Sequence, residues 1–271
     1  MGRKPIDMDN LILDVVMNDD IGKKESVLKK ILKIAYDKGI YPASIHELYM
    51  ARGRGECPPT FTVPAINLRT LTYDLAKAIF RVAQRNNTGA FIFEIAKSEM
   101  GYTSQPPVEF TACCIAAAVK EGWSGPVFIQ GDHFQVNAKN FKNDPDKEIE
   151  GIKTLILQAI EAGFYNIDID SSTLVDLSKR TINKQQEFNY GVCAKLTQFI
   201  RRNQPRGVEI SVGGEIGEVG KKNSTPEELR AYMEGYKKKL RKGLVGISKI
   251  SIQTGTSHGG VVMPDGTIAK V

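Results

Sequence analysis

Six short apolar runs, each followed by a helical pattern, limit the folds open to this chain. The runs are Phe61–Ile66, Ala90–Ala96, Pro126–Gln130, Tyr165–Asp170, Val208–Val212 and Ile247–Gln253. They begin about 30 to 43 residues apart, which is the length of one strand plus one crossover helix. The runs are apolar on both faces, as such strands are in parallel sheets covered by helices. The sequence therefore predicts repeated βα units, in either a barrel or an open doubly wound sheet.

Polar residues at the ends of these runs favour the barrel. They are Asn67, Glu94, Asp132, His133, Asp168, Asp170, Glu215 and His258. In a barrel the carboxyl ends of all strands meet at one mouth, so residues distant in sequence can form one site. In an open sheet they would spread along an edge, with only the switch-point crevice available. The fold class we expect is therefore α/β, a TIM (β/α)8-type barrel.

The number of βα units sets a further expectation. Six units are visible, whereas a closed barrel has eight. We expect an incomplete barrel over residues 58–271 that lacks the last two strands, after a helical N-terminal extension over residues 1–57. The sequence leaves three interpretations open: the chain is a fragment, it closes on another chain, or the fold is not a barrel.

Composition and charge narrow the class of protein. Lys and Arg number 37 and Asp and Glu number 31, so the net charge is 37 − 31 = +6. This small positive excess is compatible with an anionic metabolite as the ligand. The sequence contains no basic motif interleaved with aromatic residues, so nucleic-acid binding is not predicted. No run approaches the ~18 apolar residues of a membrane span, and the polar N-terminus does not resemble a secretory signal. We expect a cytoplasmic protein with free cysteine thiols.

Three glycine-containing loops follow the third, fifth and sixth runs and carry the candidate chemistry. In Gly131-Asp132-His133, an imidazole can bind zinc while a neighbouring carboxylate handles protons. The loop over residues 213–220 has glycines that allow close approach of the backbone to a ligand. In the loop over residues 255–260, amides and hydroxyls can hold a phosphate oxygen, and His258 can bind a metal.

These loops resemble a known family. The segments VPAIN (63–67), GDH (131–133), GGEIG (213–217) and GTSHG (255–259) are similar, in order and spacing, to the class II, metal-dependent fructose-bisphosphate aldolases and their tagatose-bisphosphate relatives. The resemblance implies a zinc-dependent lyase on a TIM barrel. Its substrate would be a ketose bisphosphate, fructose 1,6-bisphosphate first. Its products would be dihydroxyacetone phosphate and glyceraldehyde 3-phosphate, and the chain would form a homo-oligomer, a dimer or a tetramer.

The resemblance also implies a role for individual residues. His133 and His258 resemble zinc ligands, and Glu215 and Asp170 resemble carboxylates near the metal. Asp132 resembles the acid/base that takes the hydroxyl proton, and Glu218 is the nearest substitute for a second base. The residues that resemble contacts with substrate, with phosphate or with a monovalent cation are Asn67, Gly255, Ser257 and Gly259.

Other functions remain open at this point. Lys97 and Lys249 leave room for a mechanism through a Schiff base. The stretch from Glu94 through Gly101-Tyr102-Thr103 to Phe110 also resembles the non-catalytic companion subunit of tagatose-bisphosphate aldolase. A sugar-phosphate epimerase on the same barrel is the remaining alternative.

Overall fold

A parallel sheet forms the centre of the molecule. The computed structural model describes residues 7–217 and 223–254, together with the backbone of 261–262 and 268–269. Within these residues the main sheet has seven strands: β1 (Ile40–Ala43), β2 (Ala65–Asn67), β3 (Ile92–Ala96), β4 (Gly125–Gln135), β5 (Asn166–Asp170), β6 (Ser211–Glu215) and β7 (Lys249–Ser251). The strands from β2 to β7 are neighbours in chain order, and every pair is parallel. The six predicted strands are thus confirmed. A separate antiparallel pair consists of β8 (Val261–Val262) and β9 (Ile268–Ala269).

Helices connect consecutive strands, as the βα pattern predicts. Those in the described residues are α1 (Met8–Val16), α2 (Ile21–Tyr36), α3 (His46–Gly53), α4 (Thr72–Arg85), α5 (Lys97–Thr103), α6 (Pro107–Lys120), α7 (Ala138–Asn143), α8 (Pro145–Ala162), α9 (Ile182–Gln185), α10 (Glu187–Asn203) and α11 (Pro226–Lys239). Two helix starts follow from local chemistry. The Asp144 side chain accepts the Lys147 N–H, and Thr225 and Glu228 cap each other's free amides. Helix α8 ends at Gly163, whose φ of 96° suits a left-handed cap.

The sheet from β2 to β7 is curled into a half-barrel. In a flat sheet β4 and β7 would lie about 14 Å apart, because neighbouring strands are about 4.8 Å apart. The ammonium of Lys249 on β7 nevertheless hydrogen-bonds Gln130 on β4. It also lies 2.8 Å from a carboxylate oxygen of Asp168 on β5. The α/β class and a curled parallel half-barrel of six strands are therefore established, and closure as a TIM barrel stays a prediction.

Helix α6 is the centre of the outer layer. It is buried on almost all sides, including Cys113 and Cys114, and it packs against α2, α4 and α8. Its alanine-rich surface lets these neighbours approach closely. The four cysteines carry free thiols, as predicted. Lys24 of α2 forms an ion pair with Glu109 of α6, and both side chains are buried.

The segment that follows α2 covers the amino-terminal end of the sheet. Strand β1 pairs with the first half of β4 and was not predicted. The Asn166 amide accepts a hydrogen bond from the Ile45 N–H (2.9 Å) and donates one to the Ala43 carbonyl (3.1 Å). Helix α3 then brings Tyr49 beneath Lys249, with 5.9 Å between the ammonium and the ring centre. The predicted N-terminal extension therefore contributes a strand to the sheet, and the domain boundary at residue 57 stays a prediction.

No helix in the described segments combines the length and the apolar character that a membrane crossing requires.

Candidate active site

A bulge in β4 places Asp132 and His133 at the carboxyl end of the sheet. Gly131 pairs with Ile167 and Phe134 with Ile169, so β4 contains one residue more than β5 between these pairs. His133 has a φ of 41°, a left-handed conformation that is uncommon for a residue other than glycine. Adjacent side chains of a regular strand point to opposite faces. The extra residue removes this restriction, and both side chains line one cavity together with Asp168, Asp170 and Glu215.

Two carboxylates from neighbouring strands approach the His133 ring. Its Nδ1 atom lies 3.1 Å from Asp170 Oδ2 at the end of β5. The same atom lies 3.5 Å from Glu215 Oε2 at the end of β6. The other ring nitrogen, Nε2, lies 3.7 Å from Asp132 Oδ1. The structure thus brings together four residues that the sequence predicted for one site.

Hydrogen bonds fix Asp170, one of the acidic partners of His133. Asp170 accepts hydrogen bonds from the Ser172 hydroxyl (2.6 Å) and the Gln135 side-chain amide (2.6 Å). Burial alone would raise the pKa of Asp170, but the hydrogen bonds from His133, Ser172 and Gln135 bring this pKa below its usual value. Contacts with Asp170 and Glu215 raise the pKa of His133 to about 11. In the absence of another cation, the imidazole is therefore held as a charged ring between two carboxylates.

The spacing of these donors fits a divalent ion. One ligand atom each from His133, Asp170 and Glu215 can be chosen so that all lie within 4.8 Å of one another. Donors about 2.1 Å from a tetrahedral zinc ion are about 3.4 Å apart, close to the two distances measured from Nδ1. The imidazole and carboxylates are a usual donor set for zinc. The side chain of His133 is 46% exposed, so an ion can reach it from solvent.

Two further carboxyl groups face the concave side and have raised pKa values. Burial raises the pKa of Asp132 to about 6, with a contribution from Asp168, although His133 opposes it. Burial and repulsion from Asp132 and Asp168 raise the pKa of Glu94 on β3 to about 7. Both groups can therefore exchange protons near neutral pH, which is the property required of a general acid or base.

Below the mouth, a row of polar side chains crosses the half-barrel. Gln130 donates a hydrogen bond to Glu94 (2.6 Å) and accepts one from Lys249, which pairs with Asp168. Gly213 makes this crossing possible, since a Cβ there would lie 2.3 Å from Asp168 Oδ1. Gln130 was not predicted as part of the site. The signal was available, because Gln130 precedes Asp132 by two residues and shares its face of the strand.

Asn67 lies on the other side of the bulge. Its amide donates a hydrogen bond to Glu99 (2.7 Å), which also pairs with Arg69 (2.6 Å). Together with Asp132 and His133, it lines a cavity of about 550 Å³. A smaller cavity of about 140 Å³ lies on the opposite side of the same pair and is lined by Glu215 and Lys249 among others. Asn67 and Asp132 therefore line the same cavity, and the predicted contact of Asn67 with a substrate stays a prediction.

Five predicted site residues lie outside the described residues. They are Glu218, Gly255, Ser257, His258 and Gly259. The predicted sharing of one ion by His133 and His258, the phosphate loop and the monovalent-cation site therefore stay predictions. Lys97, the other candidate for Schiff-base chemistry, lines the larger cavity and donates a hydrogen bond to the Gln135 carbonyl (2.9 Å).

Comparisons with known proteins give a distant structural likeness. No family model and no curated protein matches the chain. The fold is similar to the crystal structure of a probable tagatose 6 phosphate kinase from Sinorhizobium meliloti 1021, with 17% sequence identity and a TM-score of 0.48. The match covers 66% of this chain and 45% of that one, so this chain spans less than half of that protein's length. A likeness at this level assigns no function, and the resemblance to class II aldolases rests on sequence motifs alone.

Proposed function

We propose that the chain is a divalent-metal-dependent aldolase that reversibly cleaves a phosphorylated ketose. The observation that carries this proposal is the convergence of His133, Asp170 and Glu215 beside Asp132 at the carboxyl ends of three strands. Zinc is the ion to test first, because the donors are one imidazole and two carboxylates. Fructose 1,6-bisphosphate is the substrate to test first, because the sequence motifs resemble aldolases of that specificity.

The metal and the protein have separate tasks in such a reaction. Cleaving a carbon–carbon bond next to a carbonyl leaves negative charge on the fragment that retains the carbonyl. A bound divalent ion would supply a Lewis acid that stabilises this charge, which is worth several kcal/mol. The residues His133, Asp170 and Glu215 would hold the ion at the mouth of the half-barrel. The hydrogen bonds to Asp170 fix this carboxylate before any ligand arrives.

Asp132 is the residue that we expect to move the proton. During cleavage, the hydroxyl on the carbon that becomes the aldehyde must lose its proton. A carboxylate with a pKa of about 6 is mostly ionised at pH 7, and it is a stronger base than an ordinary aspartate. Its position between the two cavities allows it to contact the centre of a ligand that occupies both.

The larger cavity suits the charged end of such a ligand. Arg69 and Lys97 line it, and their side chains are 57% and 37% exposed respectively. Guanidinium and ammonium groups attract phosphate, although here they are also paired with Glu99 and Glu148. A phosphorylated ketose would therefore place the phosphate of its aldehyde portion in this cavity and its carbonyl group near the metal ligands. In a bisphosphate, the second phosphate, on the carbonyl portion, would lie outside the smaller, acidic cavity.

A cleavage assay with controlled metal content tests this proposal. Release of triose phosphate from fructose 1,6-bisphosphate and tagatose 1,6-bisphosphate would be measured before chelation, after chelation and after zinc is restored. We expect chelation to abolish cleavage and zinc to restore it. Cleavage that survives chelation and is trapped by borohydride would contradict the metal mechanism and support a Schiff base on Lys249 or Lys97.

Full zinc occupancy without cleavage would contradict the proposal in another way. It would favour the companion-subunit alternative if adding the chain stabilises a separate catalytic subunit. It would favour the epimerase alternative if the chain interconverts two ketose phosphates without breaking a carbon–carbon bond.

A further inference from the structure

Lys249 occupies an unusual place for a lysine. It lies on β7 opposite Gly213 of β6, and its side chain crosses the concave face to reach Asp168 on β5 and Gln130 on β4. A Cβ at position 213 would lie 3.0 Å from Lys249 Cε, so the path of the side chain depends on that glycine. The metal-dependent reaction proposed above assigns no task to this ammonium.

The ammonium is held in place but remains accessible. The ammonium donates a hydrogen bond to Gln130 and forms an ion pair with Asp168, so these contacts engage at most two of its three donor hydrogens. The Tyr49 ring lies on one side of it, and the side chain is still 23% exposed. Lys249 also lines the smaller cavity together with Asp132, His133 and Glu215. At least one N–H is therefore not engaged by Gln130 or Asp168 and can meet a ligand in that cavity.

The charges around the smaller cavity decide which kind of ligand atom can accept a hydrogen bond from the Lys249 ammonium. Four carboxylates line the smaller cavity: Asp132, Asp168, Asp170 and Glu215. They repel a phosphate dianion inside this cavity, so only the carbon chain of a phosphorylated ligand would enter it, whereas the larger cavity offers Arg69 and Lys97 for a phosphate group. An uncharged oxygen that gains negative charge during reaction avoids this repulsion and benefits from a fixed positive donor.

We propose that Lys249 is a substrate-binding residue whose ammonium donates a hydrogen bond to a carbonyl or hydroxyl oxygen on the substrate's carbon chain. This inference rests on the proposed function for the class of substrate. It goes beyond that function because it adds a specificity residue that the metal ligands and Asp132 do not supply. It also assigns Lys249 a role as a fixed hydrogen-bond donor in place of a Schiff-base nucleophile.

Binding to the zinc-loaded chain tests the inference without requiring turnover. The probes are dihydroxyacetone phosphate and dihydroxyacetone, titrated by calorimetry into the wild type and into Lys249→Met. A hydrogen bond from a charged donor predicts a loss of affinity of roughly 10- to 100-fold for both probes. Zinc stoichiometry should not change, because Lys249 is not among the proposed metal ligands.

Two further variants separate substrate binding from a structural role. Lys153→Met is the matched control, because Lys153 is 18% exposed, pairs with Glu150 (2.6 Å) and lies 5.4 Å from the centre of the Phe199 ring. It should bind both probes like the wild type. Since Lys249→Met leaves Asp168 without its cation, the double variant Lys249→Met/Asp168→Asn keeps the test valid if the single variant is unstable. It should regain thermal stability but not affinity.

Several results would overturn the inference. The first two are an affinity of Lys249→Met within twofold of that of the wild type, and a loss of affinity for the phosphorylated probe alone. The other two are recovery of affinity in the double variant, and a wild type that binds neither probe. The cleavage assay keeps the two proposals distinguishable. A wild type that binds both probes but never cleaves a ketose phosphate refutes the aldolase, while the affinities still decide the role of Lys249. Cleavage by the wild type with unchanged binding in Lys249→Met refutes only the role of Lys249.

Discussion

Glu94 provides the sharpest test of the electrostatics inside the half-barrel. Burial, together with repulsion from Asp132 and Asp168, raises its pKa from 4.5 to about 7. Between these two pH values the folded chain keeps a proton that the unfolded chain has released. Stability contributed by this group is therefore present below pH 4.5 and is lost as the pH rises through 7. The difference of about 2.5 in pKa corresponds to about 3 kcal/mol.

Replacing Glu94 by Gln removes this pH dependence. The amide oxygen of Gln can still accept the hydrogen bond from Gln130, but it cannot ionise. We expect Glu94→Gln to match the wild type at pH 4.5. At pH 8 it should be more stable by up to about 3 kcal/mol, or roughly 6 to 12 °C in Tm for a chain of this size.

Urea unfolding at both pH values, with chelator present, measures this difference. Chelator keeps the charge of the site the same in both proteins. Glu161→Gln is the control, because Glu161 is exposed. This substitution should change the free energy of unfolding only slightly, and by the same amount at both pH values. An equal stability difference at pH 4.5 and pH 8 for Glu94→Gln would refute the argument, because it would mean that Glu94 does not hold a proton near neutral pH.

Three other substitutions test the site and its support. Asp132→Asn should keep zinc but lower ketose bisphosphate cleavage by more than ~100-fold, because the amide cannot accept the hydroxyl proton; an unchanged rate would remove Asp132 from this role. His133→Ala should lose zinc, measured by metal analysis after dialysis, and stoichiometric zinc in the variant would show that the ligand assignment is wrong. Lys24→Met should lower the free energy of unfolding by about 3 to 5 kcal/mol, because it leaves the buried Glu109 carboxylate without its cation. A loss below about 1 kcal/mol in urea unfolding would show that Glu109 finds another partner.

The sheet could largely be predicted from the sequence, because a buried parallel strand leaves a continuous apolar run. The first strand is the least well placed, since the run Phe61–Ile66 becomes a strand only at Ala65–Asn67. Pro64 lacks an N–H and contributes only its carbonyl, which accepts the Ile92 N–H. Strand β1 was missed for a related reason. It has four residues, it contains Pro42, and it pairs with β4 across more than 80 residues of intervening chain.

The residues at the strand ends were also predictable, but the contacts between them were not. Asp170 and Glu215 end their strands on the concave side, as the period of two requires. The row from Glu94 to Lys249 depends on the curl of the sheet, which joins strands that are not neighbours. Local sequence does not contain that curvature. It contains a necessary condition, the absence of a side chain at Gly213.

The bulge at Asp132 and His133 shows why a motif can identify a site without explaining it. A regular strand would send one of these two side chains to the helical layer, where a charged group is costly to bury. The left-handed backbone at His133 avoids this cost, although such a conformation itself costs of order 1 to 3 kcal/mol outside glycine. The contacts of the imidazole with Asp170 and Glu215 offset this strain. The interactions that gather the candidate metal ligands are therefore the same ones that keep the bulge in place, and neither can be deduced from residues 131–133 without β5 and β6.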